Sequence, residues 1–274
     1  MTEVEGKRLH IANHLGVGAD PRGEGAARIH CPPDVCGSTG VPHLGVLALL
    51  VDTLGGVLAS LAVEPDIVVT TDLTIVRDPT LRPRSVTGIG EVVRRGRSSV
   101  TMEMPLVDDE GHPVGWGVMS SAVLPGGEQS GRAGRLFERP GYETEAGVVR
   151  PPIHEVVGIE PADGPDDRVG CQVEIRRDLA NSLGILHGGV LAMLMDATAI
   201  RSARASGLVP GLAADLVTEE MTIRYIAANR VGPIRVTASV LAASAHAVTS
   251  RLEARDLGSG RLTGLATARV APTS

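Results

Sequence analysis

Aromatic residues are almost absent from this sequence. The 274 residues include one tryptophan, two tyrosines and one phenylalanine, so few side chains are available for nucleic-acid bases to stack on. The formal net charge of -6 would also repel a phosphate backbone. We therefore expect no nucleic acid among the partners. Any core or pocket must be built from aliphatic side chains, which the hydrophobic fraction of 43% supplies.

Cysteine is also scarce. Cys31, Cys36 and Cys171 form no CxxC pair, and no histidine stands beside them at a ligand spacing, so neither a disulfide framework nor a zinc site is indicated. We predict reduced thiols, no metal and no cofactor. The first residues, MTEVEGKRLH, lack the apolar stretch of a secretory signal, and the predicted location is therefore cytoplasmic.

One apolar run, from Val41 to Val63, is long enough to cross a bilayer. Asp52 at its centre would cost about 2.5–3.5 kcal/mol in the hydrocarbon layer. A similar run later in the chain carries Arg201 and Arg204. We therefore predict two buried core helices and no membrane span.

The sequence repeats itself. The apolar run HLGVLALLVD is matched by HGGVLAMLMD, and both 187 − 43 and 196 − 52 equal 144. The matched pairs at this offset include His43 and His187, Asp52 and Asp196, and His10 and His154. Such self-similarity indicates a tandem duplication. We predict two domains, residues 1–124 and 150–274, joined by a linker at 125–149 that is rich in Gly, Arg and Glu.

Each copy has the same predicted order of elements: a short strand or two, one long helix, and four alternating strands. The helices are expected at roughly 44–61 and 187–205, because these runs are apolar around most of their circumference. The strands of the second copy are expected near 214–225, 233–243, 246–256 and 261–271, where Val, Thr and Ile alternate with period two. The predicted fold class is α+β, with an antiparallel sheet wrapped around a central helix in each copy.

This order, together with the pattern Asn-x5-His-Gly-Gly-x6-Asp, resembles the hotdog-fold acyl-CoA thioesterases of the phenylacetyl-CoA type. The pattern comprises Asn181, His187, Gly188, Gly189 and Asp196. The first copy carries a degenerate form, with Gly37 in place of the asparagine and Leu44 in place of the first glycine. The resemblance implies two tandem hotdog domains that form an intrachain pseudo-dimer. It also implies an acyl-CoA substrate. Further pairing of pseudo-dimers into a homo-oligomer is common in that family, and the sequence leaves the oligomeric state open.

Thioester hydrolysis requires donors for the developing oxyanion and a group that attacks or activates water. The N–H groups of Gly188 and Gly189 begin a helix, where donors are unpaired and the helix dipole is positive. Asp196 lies about 12 Å further along the same helix axis, at 1.5 Å per residue. One helix therefore cannot supply both groups, whereas two antiparallel helices would bring Asp52 to the glycines of the second copy.

Two composite sites follow. The first combines Asp52 with Asn181, Gly188 and Gly189, and the second combines Asp196 with Gly37, Leu44 and Gly45. We predict that the first site works. Its expected roles are Asp52 as base or nucleophile, the Gly188 N–H as oxyanion donor, and Asn181 as the group that orients water or the thioester.

Other polar residues have secondary expected roles. Thr70 and Thr218 occupy a hydroxyl position on the strand after each helix, and His43 and His187 are expected to make hydrogen bonds that fix the helix start. Several arginines could contact coenzyme A phosphates, although a solvated position is expected of each. They are Arg77, Arg94, Arg95, Arg97, Arg224 and Arg230.

Two other functions remain open. The eroded motif of the first copy would suit a non-catalytic module that binds acyl-CoA or lipid. A hotdog dehydratase or hydratase would use a catalytic histidine with an acidic partner at other spacings, and no such pairing is found in the sequence. The acyl group and its carrier, coenzyme A or an acyl-carrier protein, do not follow from the residues.

Overall fold

The computed structural model describes residues 10–19, 25–126, 150–207 and 215–273. The predicted linker at 125–149 lies almost wholly outside these residues. The domain boundaries at 124 and 150 therefore stay a prediction.

Two long helices lie at the positions that the apolar runs predict. They are α3, Leu44–Val63, and α5, Gly188–Ser206. Helix α3 ends before Pro65, which cannot continue a helix. Helix α5 ends at Gly207, which adopts the left-handed conformation with φ of 62°. Three one-turn helices were not predicted: α1, Ile11–His14, α2, Pro33–Cys36, and α4, Ile153–Val157.

The strands of the second half confirm the alternation in the sequence. They are β8, Glu160–Pro161, β9, Gly170–Val173, β10, Leu216–Tyr225, β11, Ile234–Ala243, β12, Val248–Asp256, and β13, Arg261–Pro272. Along β12 nearly every second residue is buried, because alternate side chains face the helix. The last four strands lie within two residues of their predicted positions.

The first half has one more strand than predicted. Its strands are β1, Gly18–Ala19, β2, Ala26–His30, β3, Ile67–Arg77, β4, Ser85–Ile89, β5, Glu91–Arg95, β6, Ser99–Val107, and β7, Pro113–Leu124. A single predicted strand is divided into β4 and β5 at Gly90. The Gly90 N–H donates to the Gly25 carbonyl at 2.8 Å, and a Cβ there would lie 2.3 Å from the Leu58 side chain.

All thirteen strands of the described residues form one antiparallel sheet. The order is β1-β2-β4-β6-β7-β3-β10-β13-β12-β11-β9-β8, with β5 paired to β6. From the β1 edge to the middle of the sheet the order is β1-β2-β4-β6-β7-β3, and from the β8 edge it is β8-β9-β11-β12-β13-β10. The two halves therefore have the same topology, which agrees with the internal repeat. The halves join where β3 pairs with β10, and Thr74 and Thr222 meet at the centre of this seam with hydroxyl oxygens 3.1 Å apart.

The long helices cross each other closely in the core. A Cβ on Gly45 would lie 2.4 Å from the Met193 Cα, and a Cβ on Gly189 would lie 2.5 Å from the Leu49 Cα. The early residues of each helix thus face the middle of the other, as in an antiparallel pair. By length and composition α3 could span a membrane, but 72% of its apolar window is buried inside the protein. This burial is expected of a core helix.

Candidate active site

The antiparallel crossing places Asp52 of α3 against the start of α5. Its Oδ2 accepts the Gly189 N–H at 2.9 Å, and its Oδ1 accepts the Thr70 hydroxyl at 2.8 Å. The Nδ1 atom of His187 lies 3.0 Å from the same Oδ2. Asp52 is only 6% exposed, so these donors replace the water that burial removes. We call Asp52, Thr70, His187, Gly188 and Gly189 the Asp52 cluster.

The proton on His187 follows from the geometry of the Asp52 cluster. Nδ1 lies within hydrogen-bond distance of both the Gly189 N–H, at 3.1 Å, and the Asp52 carboxylate. An unprotonated Nδ1 would direct its lone pair at a carboxylate oxygen, which is repulsive. We therefore assign a proton to Nδ1, which donates to Asp52; with this tautomer the Gly189 N–H donates to Asp52 Oδ2 and not to Nδ1.

These contacts determine the charge of Asp52. Burial alone would raise the pKa of this carboxyl, but the neighbouring His187, the Thr70 hydroxyl and the Gly189 N–H outweigh burial and hold the pKa below its ordinary value. The side chain is therefore ionised at neutral pH. An ionised carboxylate is the form required of a base or nucleophile.

The two glycines have different surroundings. The Gly189 N–H is bound to Asp52, so the expectation that both glycines offer free oxyanion donors is wrong for Gly189. The Gly188 N–H is the first of the helix and has no intrahelical acceptor. A Cβ on Gly188 would lie 2.8 Å from Asp52 Oδ2. Glycine is therefore required for the carboxylate to approach the helix start.

Asn181 turns its side-chain oxygen into its own loop. Oδ1 accepts the N–H groups of Leu183 at 2.9 Å and Ile185 at 3.3 Å, a turn in which the side chain mimics a backbone carbonyl. The oxygen is therefore occupied. The amide NH2 group of Asn181 remains available for the expected role, which is to orient water or the thioester.

A second cluster surrounds Asp196 on α5. Its Oδ2 accepts the Gly45 N–H at 2.9 Å, and the Thr218 hydroxyl donates to its Oδ1. The structure thus brings Asp196 to the start of α3, as antiparallel packing predicts. Leu44 stands where the first cluster has Gly188, and Asp196, Thr218 and Leu44 are all 0% exposed. In the Asp52 cluster, by contrast, Thr70 and Gly188 are partly exposed.

Paired histidines lie beside both clusters and were not predicted. The rings of His10 and His187 are 5.9 Å apart and edge-on, and those of His43 and His154 are 4.3 Å apart. Each pair joins the two halves of the chain. Burial lowers the pKa of His43 to about 4, and the neighbouring His154 adds to the shift. The sequence feature that could have indicated these pairs is the match of His10 with His154 at the repeat offset of 144 residues.

His43 and Arg77 depart from their expected roles. Among the described residues, the His43 side chain makes no capping hydrogen bond to α3, whereas His187 Nδ1 lies 3.1 Å from the Gly189 nitrogen and 3.0 Å from Asp52 Oδ2. Arg77 was expected on a solvated face, but it is 5% exposed and its Nε donates to the Thr218 carbonyl at 2.9 Å. A sheet position that alternates with buried Leu73 and Ile75 explains its burial.

Tyr225 is a further neighbour of the Asp52 cluster. Its hydroxyl donates to the Gly188 carbonyl at 3.1 Å. Burial and the nearby Asp52 carboxylate raise the pKa of this phenol well above its usual range. The residue ends the quoted run VTEEMTIRY and is one of two tyrosines in the chain, but no sequence spacing ties it to Gly188.

No second kind of site is found among the remaining polar groups of the described residues. The three cysteines are free. Within the described residues, no three His, Cys, Asp or Glu side chains are grouped so that they could hold a metal ion. A cavity of about 380 Å³ shares no lining residue with the Asp52 cluster. It is lined by Asp72, Thr74, Val118, Met119, Ser120 and Arg224.

Comparisons with known proteins bear on this geometry. Residues 183–263 match the model of the Thioesterase superfamily. An acyl-CoA thioesterase II, TesB2, from Mycobacterium marinum has a similar structure, with a TM-score of 0.64 and 15% identity over 96% of this chain and 97% of the other. A search of the curated proteins gives no match.

Two further structures share the fold. A tesB protein of Mycobacterium avium subsp. paratuberculosis has a TM-score of 0.63 and 10% identity, over 96% of this chain and 98% of the other. An acyl-ACP thioesterase from Bacteroides thetaiotaomicron has a TM-score of 0.56 and 12% identity, over 94% and 99%. The predicted resemblance is therefore confirmed: residues 183–263 match the superfamily model, and the fold of nearly the whole chain is similar to that of these thioesterase structures.

Proposed function

We propose that this protein hydrolyses an acyl-CoA thioester to a free acid and a thiol, and that the Asp52 cluster is its working site. One observation carries the proposal. The Asp52 carboxylate lies beside a helix start whose first N–H has no intrahelical acceptor. These are the base and the oxyanion donor that acyl transfer needs.

In the proposed reaction the thioester carbonyl oxygen accepts the Gly188 N–H. Asp52 removes a proton from a water molecule, whose oxygen attacks the carbonyl carbon and forms a tetrahedral intermediate. The intermediate collapses, the carbon–sulfur bond breaks, and the leaving thiolate takes the proton from Asp52. The amide NH2 of Asn181 orients the water or the thioester.

We favour Asp52 as base over Asp52 as nucleophile. Three donors hold its two oxygens, namely the Gly189 N–H, the Thr70 hydroxyl and His187 Nδ1. Such hydrogen bonds lower the basicity and the nucleophilicity of the carboxylate alike, but they also fix its position, which suits the orientation of water better than the displacement that attack on an acyl carbon requires. Label in Asp52 after turnover in H2¹⁸O would show the nucleophilic route, because only attack of water on the aspartyl carbon of a covalent anhydride transfers its oxygen to the carboxylate.

The inactivity of the Asp196 cluster is part of the proposal. Leu44 replaces Gly188 there and is fully buried, so its side chain fills the space beside the helix start. A substrate carbonyl could not approach that N–H without displacing it. In this account the two halves behave as a pseudo-dimer with one working site, and the Asp196 cluster holds the helices together.

Coenzyme A is the proposed carrier. The similar M. marinum structure is described as an acyl-CoA thioesterase, whereas the B. thetaiotaomicron structure is described as an acyl-ACP thioesterase. The test is thiol release by the wild type from a panel of aliphatic and aryl acyl-CoA esters and acyl-carrier-protein esters. We expect turnover of at least one acyl-CoA ester. Tight binding of acyl-CoA without turnover would instead indicate a binding module.

A further inference from the structure

Tyr225 connects to Asp52 through a single peptide unit. Its hydroxyl donates to the Gly188 carbonyl at 3.1 Å. That carbonyl and the Gly189 N–H belong to the same peptide group, and the N–H donates to Asp52 Oδ2 at 2.9 Å. The phenol, the peptide and the carboxylate therefore form one continuous chain of hydrogen bonds.

Hydrogen bonds in such a chain strengthen one another. A donor at a peptide carbonyl polarises the group, so that its N–H becomes a stronger donor. The carbonyl of Gly188 also accepts within α5, as the first carbonyl of a helix does. The Tyr225 hydroxyl is thus an additional donor, and it acts on the one peptide whose N–H contacts the carboxylate.

Among the described residues, the Asp196 cluster has no tyrosine at the matching position. Thr222 of β10 matches Thr74 of β3 across the seam, and 222 − 74 equals 148. The same offset takes Tyr225 to Arg77, since 225 − 77 also equals 148. Arg77 donates from Nε to the Thr218 carbonyl on the neighbouring strand. The Asp196 cluster therefore has an arginine, which donates to another strand, at the position where the Asp52 cluster has the tyrosine that donates to the helix-start peptide.

We propose that Tyr225 is a positioning residue of the thioesterase reaction, which strengthens the Gly189 N–H···Asp52 hydrogen bond and fixes the peptide plane beside the oxyanion donor. This inference rests on the proposed function of the Asp52 cluster. Tyr225 itself contacts the backbone and is assigned no step of proton transfer.

The test is Tyr225→Phe, which removes only the hydroxyl. We expect kcat to fall about threefold to tenfold, the range that the loss of one neutral hydrogen bond allows, while KM stays within about twofold because the hydroxyl contacts no substrate. The Gly189 N–H would also stabilise the carboxylate less. The pKa of Asp52 therefore rises, and the acid limb of the kcat/KM profile moves to higher pH.

Thr74→Val is the matched control. It removes a side-chain hydrogen bond from the same β3–β10 seam, 3.1 Å long and formed with Thr222, and keeps the side-chain shape. Its kcat and its acid limb should equal those of the wild type. A Tyr225→Phe variant that loses thermal stability as the control does, with kcat and acid limb unchanged, would overturn the proposal.

A second readout separates this proposal from the proposed function. The carboxyl ¹³C resonance of Asp52, assigned by comparison with Asp52→Asn, can be titrated in wild type and Tyr225→Phe even if no substrate is turned over. A higher pKa in Tyr225→Phe supports the positioning role. An unchanged pKa contradicts it, whatever the outcome of the thioesterase assay.

Discussion

Replacement of Gly188 by alanine tests the close approach of the carboxylate to the helix start. The backbone at Gly188 is helical, so alanine suits the conformation and should favour the helix by about 1 kcal/mol. Its Cβ, however, would lie 2.8 Å from Asp52 Oδ2 and 3.0 Å from Oδ1. Ordinary contact begins at 3.4 Å, so the carboxylate must retreat by about 0.6 Å.

Such a retreat weakens the hydrogen bonds to the Gly189 N–H and the Thr70 hydroxyl. A hydrogen bond to a charged group contributes about 1.5–3 kcal/mol, so the loss of one corresponds to a rate loss of about tenfold to a hundredfold. We expect kcat/KM of Gly188→Ala to fall by at least this factor. The free energy of unfolding, measured in urea, should change by less than about 2 kcal/mol.

The control is Leu44→Ala at the matching position of α3. Leu44 is fully buried, so this change should cost about 2–5 kcal/mol of stability and leave the activity of the folded fraction intact. Wild-type kcat/KM in Gly188→Ala, or an equal loss of activity per folded molecule in Leu44→Ala, would contradict the close approach of the carboxylate to the helix start.

Two further predictions concern stability. Because burial holds the pKa of His43 at about 4, against about 6.5 in the unfolded chain, the unfolded chain binds this proton first as the pH falls. The contribution of His43 to the free energy of unfolding should be fully present above about pH 6.5 and fall toward pH 4, by about 1.4 kcal/mol per pH unit within that window. Urea unfolding of His43→Gln should show a shallower fall with pH. Equal slopes for the variant and the wild type would contradict this. Gly45→Ala should destabilise the protein by about 1–3 kcal/mol, because its Cβ would meet the backbone of α5 at 2.4 Å. The control Gly56→Ala has nothing within 4 Å of its Cβ and should be neutral or stabilising, so equal melting temperatures for the two variants would show that the helices do not cross so closely.

Local patterns in the sequence predict much of this fold. Apolar residues around a whole helical circumference locate α3 and α5, and period-two alternation locates the long strands, because both periodicities follow from burial on known faces. The division of β4 from β5 could not be predicted. It depends on the close approach of Leu58 to Gly90, which only the packed structure defines.

The candidate site, like the fold, could be predicted from the sequence only in part. Asp52, Gly188 and Gly189 follow from the internal repeat and from the length of a helix, which together require a partner helix. Tyr225 and His10 do not, since their contacts depend on the register of the sheet and on a short helix far away in sequence. The hydrogen bond from the Gly189 N–H to Asp52 was also not predicted. A spacing in the sequence indicates which groups lie close together, but not which acceptor each donor binds.

The most direct test of the account compares Asp52→Asn with Asp196→Asn, since both keep the size of a side chain that accepts an N–H and a hydroxyl in matching clusters. Each variant is first shown to be folded by circular dichroism, and thiol release is then measured on the best acyl-CoA substrate of the wild type. We expect Asp52→Asn to lose at least about a hundredfold in kcat, in the range expected for removal of a general base, and Asp196→Asn to stay within about threefold of the wild type. Loss of activity in Asp196→Asn with Asp52→Asn still active would contradict this expectation.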